Sequence, residues 1–151
     1  MKSFRFRLQT VLEQRQRIET QAMSTYAEAV AAEQRATTLL VELQEVHDSL
    51  VRELSTTVSD GFDANVSRTY HDYLKVIKAN IKEHATYTND LVNQREALKL
   101  SLVRASQNHQ ALASVKQKHK DVHRIGEQRK EQNAIDEMAG NRFAFRSRSV
   151  E

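Results

Sequence analysis

From Met1 to Glu151 the chain contains no proline, so no residue in it is obliged to break a helix. Its only glycines are Gly61, Gly126 and Gly140. The one clear internal break before residue 120 is Ser59-Asp60-Gly61-Phe62-Asp63, where glycine tolerates φ > 0 and aspartate can cap a helix. The pattern predicts two long helices and one short turn. The expected fold class is all-α: a long antiparallel two-helix coiled coil, or helical hairpin, with an unpaired C-terminal helix extension. Expected bounds are a helix over about 4–58, a turn over about 59–63, a helix over about 64–140 and a disordered tail over 141–151, all in one elongated domain.

In the first helix apolar side chains recur at the three-and-four spacing of a coiled-coil seam: Leu8, Val11, Ile18, Ala22, Ala29, Ala32, Ala36, Leu39, Leu43, Val46 and Leu50. Arg15, Thr25 and Glu53 interrupt that frame. Alanine in its middle lets a partner helix come close but buries little area per residue. The second helix shows Tyr70, Tyr73, Ile77, Ile81, Leu91, Leu98, Leu102, Ala105 and Leu112 on one side, a stripe expected to drift as a straight helix does. A turn at Gly61 places residue i beside one near 122 minus i, so the helix beyond about residue 118 is expected to project alone.

Charge follows the same plan. Residues 1–17 carry a net +4, residues 116–151 a net +3 and the stretch between them −4. Folding the hairpin gathers both basic ends at one pole, where an acidic partner should bind.

The residue inventory argues against catalysis. There is no cysteine for a disulfide, a thiolate metal site or a nucleophile, and the glycines are too scattered for a phosphate loop. His119 and His123 are one helical turn apart, but Lys120 stands where a zincin-type motif needs glutamate, and Lys118 and Lys120 repel a cation. The carboxylates of Asp136 and Glu137 are adjacent on a helix and point apart. No cofactor and no metal are expected. No apolar run approaches the roughly 20 residues that span a bilayer, and the opening Met1-Lys2-Ser3-Phe4-Arg5-Phe6-Arg7 has no apolar h-region. The expectation is a soluble, unexported protein. A sequence pI near 9.3 raises nucleic-acid binding. However, in Lys116-Gln117-Lys118-His119-Lys120-Asp121 and Glu127-Gln128-Arg129-Lys130-Glu131 the basic residues alternate with polar and acidic ones, the pattern of a solvated helix.

Three segments carry a resemblance. Phe4-Arg5-Phe6-Arg7-Leu8-Gln9-Thr10-Val11-Leu12-Glu13-Gln14-Arg15 resembles the opening of the flagellar export protein FliJ family. Glu131-Gln132-Asn133-Ala134-Ile135-Asp136-Glu137-Met138-Ala139 resembles its terminal Glu-Gln-Lys-x-x-Asp-Glu-x-Ala signature, carried here by Glu131, Gln132, Asp136, Glu137 and Ala139. Tyr70-x-x-Tyr73-Leu74-x-x-Ile77-x-x-x-Ile81 resembles its segment after the turn. The resemblance implies a non-enzymatic cytoplasmic component of the flagellar type III export apparatus, peripheral to the inner membrane at the flagellar base through its partners only. It implies a stalk-like coiled coil whose partners are the hexameric export ATPase, the cytoplasmic domain of the export gate and export chaperones, with no nucleic acid. An analogous stalk of a virulence secretion system and a basic coiled-coil nucleic-acid binder are the alternatives.

On that reading Lys2, Arg5, Arg7, Arg142 and Arg146 are the candidate ATPase-binding residues, facing acidic pore loops. Near the turn the apolar side chains outnumber what one narrow seam can bury, so Leu39, Leu43, Val46, Leu50, Tyr73 and Ile77, with the seam-facing His84, form a candidate docking patch for the export gate. Packing of the hairpin core is the competing role for each of them.

Overall fold

The computed structural model describes residues 4–59, 61 and 63–148, with side chains described from 4 to 57, at 61 and from 63 to 142. Helix α1 spans Gln9–Ser59 and helix α2 spans Ala64–Arg148. The two pack against each other as a helical hairpin. Among the described residues there is no strand, and no helix is long and apolar enough to cross a membrane.

The reversal is made locally. Gly61 has φ of 89°, in the left-handed region where a Cβ is costly. Asp63 then caps α2: its Oδ1 accepts from Asn65 N at 3.1 Å, and its carbonyl accepts from Val66 N at 3.1 Å and Ser67 N at 3.3 Å. Replacing Asp63→Ala removes the side-chain acceptor and should cost about 1 kcal/mol. A lowered urea midpoint at unchanged slope is the expected readout; an unchanged midpoint would show that the backbone carbonyl suffices.

Seam positions differ from those read from apolarity alone. Along α1, Ala22, Tyr26, Ala29, Glu33, Ala36, Leu40, Leu43, His47, Leu50 and Leu54 are buried or half-buried and alternate by four and three. Ala22, Ala29, Ala36, Leu43 and Leu50 are where the sequence puts them. The intervening slots are one residue later, so Val11, Ile18, Leu39 and Val46 are all more than two-fifths exposed, as is Leu8, which precedes α1. On α2 the sequence of Tyr70, Leu74, Ile77, Ile81, His84, Thr88, Leu91, Arg95, Leu98, Leu102 and Ala105 keeps the same alternation. The expected drift is absent because His84, Thr88 and Arg95 fill slots that an apolar pattern leaves blank. Tyr73, 52% exposed, is off the seam, and Leu74 takes its place.

One pair of facing polar slots, Glu33 and Arg95, is held by paired charge. Arg95 Nη1 donates to Glu33 Oε1 at 3.0 Å and sits 2.9 Å from Oε2, while Nη2 donates to Glu96 Oε1 at 2.6 Å. The Glu96 hydrogen bond, reinforced by the charge of Glu33, raises the Arg95 pKa against the opposing effect of burial. Nearer the turn Tyr70 Oη donates to Glu53 Oε1 at 3.2 Å, which raises the tyrosine pKa.

Register and ends also need correction. Glu53 with Tyr70, Glu33 with Arg95, Phe6 with His119 and Phe4 with His123 place residue i opposite one about 123 to 128 minus i. α1 opens at Gln9 rather than near residue 4. α2 runs through Gly140 and Asn141 to Arg148, where a stop and a disordered tail were expected. No described residue except Gly61 has the positive φ that a glycine helix cap needs. The last expected tail residues, 149–151, lie outside the described residues.

The chain divides into two compact units. One is Glu19–Ala105, which contains the turn; the other combines Met1–Ile18 with Ser106–Glu151. Among the described residues, Ala36, Leu74, Ile77, Leu91 and Ala105 are the buried apolar side chains of the first, and Phe6 and Leu12 those of the second.

Candidate functional site

Both chain ends meet in one unit, and the charge goes with them. That unit carries fourteen Lys and Arg against seven Asp and Glu, net +7. The unit containing the turn carries nine against thirteen, net −4. The basic partition read from the sequence is therefore present in the folded chain.

The basic unit is held by a short strap that precedes α1. Residues 4–6 have no regular secondary structure, and their side chains alternate: Phe4 half-buried, Arg5 exposed, Phe6 buried, with Arg7 exposed after them. The Phe4 ring meets that of His123 at 5.7 Å between centroids and 64° between planes, and Phe6 meets His119 at 5.9 Å and 72°. These are edge-to-face geometries. The spacing explains the match, since two residues of extended backbone cover about 6.6 Å and four of helix about 6 Å. The apolar side of the strap docks on α2, leaving Arg5 and Arg7 on the solvent side.

Sequence reasoning assigned His119 and His123 to a solvated face and missed this clamp. A usable signal was there: Phe-Arg-Phe-Arg alternates with period two, the wrong period for the helix assumed over those residues. Phe4 also lines an open groove with Lys120, Arg124, Glu127 and Glu131 of α2. A second groove in the same unit is lined by Val11, Arg15, Asn108, Ala111, Leu112 and Val115. The start of the chain therefore partners α2 as far as His123, about a turn past the expected residue 118, and the unpaired extension begins later, with every described side chain from Gln128 to Arg142 exposed.

Some of the positive charge on α2 is neutralised within the helix. Lys130 Nζ donates to Glu127 Oε1 at 2.8 Å, and Arg124 Nη2 donates to Asp121 Oδ1 at 3.4 Å. The Lys130 hydrogen bond holds the Glu127 carboxyl below its ordinary pKa, against the opposing effect of burial and with help from the charges of Lys130 and His123. This contribution to stability is present above the unfolded-state pKa and is lost as pH falls through the folded one.

Of the candidate ATPase-binding residues, Arg5, Arg7 and Arg142 are exposed and belong to the basic unit. The side chains of Lys2 and Arg146 lie outside the described residues. In the candidate docking set Ile77 is only 4% exposed, which makes it a packing residue. Leu43, Leu50 and His84 are half-buried on the seam; Leu39, Val46 and Tyr73 are exposed. The signature residues Glu131, Gln132, Asp136, Glu137 and Ala139 are all exposed on α2, with Gln132 Nε2 donating to Asp136 Oδ1 at 3.0 Å. Among the described residues no group of three or more His, Asp or Glu could hold a metal ion.

A two-helix hairpin that presents grooves and a partitioned surface charge defines a helical interaction protein. Its relationship is specific: the model of the family described as Flagellar FliJ protein matches residues 4–148. The chain belongs to the flagellar FliJ family, which ties it to flagellar protein export. No curated protein and no solved structure matches it.

Proposed function

We propose that the chain is a non-catalytic, stalk-like component of the flagellar export apparatus that binds the hexameric export ATPase through its basic unit. It promotes assembly of the ATPase ring and couples it to the cytoplasmic domain of the export gate. The observation that supports this reading most strongly is the charge partition, net +7 where the two chain ends combine and net −4 in the unit of the turn. A cationic surface that includes the outward-facing Arg5 and Arg7 suits acidic loops lining a pore. The exposed Leu39, Val46 and Tyr73 of the other unit offer the gate an apolar contact. Export chaperones are further partners. The protein works in the cytoplasm at the flagellar base and reaches the inner membrane only through the proteins it binds.

The test is a purified mixture with the cognate ATPase, scored for ring assembly and hydrolysis rate. Wild-type protein should raise both. Reversing Arg5→Glu and Arg7→Glu together should weaken association about tenfold at low salt, with the difference shrinking as ionic strength rises. Equal binding by the wild-type and reversed proteins at every salt concentration would reject the basic unit as the ATPase contact.

A further inference from the structure

Beyond Glu131, no described residue covers α2: every described side chain from Gln128 to Arg142 is exposed. Two of them are large and apolar, Ile135 at 57% and Met138 at 61%. Lys120, Arg124 and Glu131 line the groove that receives Phe4. Counting on from Glu131 by four, three and four residues reaches Ile135, Met138 and Arg142, which therefore share its side of the helix. The face that α2 offers to the start of the chain runs on past Phe4, apolar in its middle, acidic at one end and basic at the other.

That order is self-complementary. We propose that this face is a self-association surface on which the α2 tails of two copies of the chain pair antiparallel, about a two-fold axis midway between Ile135 and Met138. Each Ile135 then packs on Met138 of the second copy, and each Glu131 meets Arg142 of the second copy, so the charge pairs flank the apolar contacts on both sides. Parallel pairing is disfavoured, because it sets Glu131 against Glu131 and Arg142 against Arg142. The local charge favours a second copy over an acidic partner: residues 128–142 hold three basic and three acidic side chains, net zero, inside a unit of net +7. Two apolar pairs over about three helical turns bury little surface, so the dimer is weak, with a dissociation constant on the order of 100 µM.

Sedimentation equilibrium of the full chain, from about 10 µM to about 1 mM at about 0.15 M salt, tests this where charges more than about 8 Å apart are screened. A monomer–dimer equilibrium is expected. Glu131→Arg and Arg142→Glu should each weaken it about tenfold when studied alone. An equimolar mixture of the two variants should recover it, because one copy is then basic at both positions and the other acidic at both. Ile135→Glu with Met138→Glu should abolish it while circular dichroism shows the helix content retained. A wild-type chain that stays monomeric throughout overturns the proposal and leaves the face to a different protein. A dimer indifferent to these substitutions, or a mixture that fails to recover, overturns it equally. Arg142 also stands in the proposed ATPase contact, but the chain is assayed alone, so failure here leaves that reading untouched.

Discussion

Replacing Ile77→Ala should lower stability by about 2–3 kcal/mol, while Val46→Ala should cost only about 0.5 kcal/mol. Both residues read as equal members of one apolar cluster in the sequence. In the fold Ile77 is 4% exposed and Val46 is 44% exposed. Ile77 therefore loses transfer free energy and leaves a cavity between the helices, whereas Val46 gives up a few contacts at the margin. The estimate for Ile77 lies at the low end for an isoleucine truncation because a two-helix hairpin can close partly over the gap. Denaturant midpoints at unchanged slope measure both. Comparable losses at the two positions would contradict the seam described above and restore the frame in which Val46 is a core residue.

Phe6→Ala is the second large effect. Phe6 is 9% exposed and stacks edge-to-face on His119, and with Leu12 it provides the buried apolar side chains among the described residues of the basic unit. Its truncation should cost about 2 kcal/mol, below the range for a fully buried phenylalanine because the strap is short and solvent lies close by. The loss should be local. Amides of α2 opposite the strap, around residues 117 to 125, should exchange about thirtyfold faster, while those around Leu74 and Ile77 keep their protection. Uniform acceleration along both helices would show instead that the strap is needed by the whole hairpin.

The hairpin itself was legible because it rests on backbone rules. Absence of proline permits long helices, and Gly61 with its flanking aspartates marks the one reversal. The details that apolarity missed share a physical cause. Glu33, His47 and Arg95 are missing from the apolar frame because a lone charge or imidazole avoids a seam. The Glu33–Arg95 pair makes the slot tolerable, and a partner 62 residues away cannot be read from local pattern. The same blindness displaced the seam of α1, since a frame built on Val11, Ile18, Leu39 and Val46 is wrong by one residue at alternate slots. At the start of the chain an expected helix concealed a two-residue period, and with it the pairing of Phe4 and Phe6 with His123 and His119. At the far end Gly140 signalled a stop, yet a helix ends at glycine only when the left-handed cap is adopted. The basic partition needed only composition and the position of the turn.

The chain folds back on itself at Gly61 and joins its two ends in one unit. Because there is no native cysteine, spin labels can be placed cleanly at Arg15→Cys and Asn108→Cys, two positions that line a common groove. Pulsed dipolar spectroscopy on doubly labelled chain diluted into unlabelled protein should give a single distance of about 20 Å, that of two packed helices 8–10 Å apart plus the label arms. An unbroken helix would separate the same positions by about 140 Å at 1.5 Å per residue. No short distance, or one that vanishes on dilution because the neighbour is another molecule, would contradict the account.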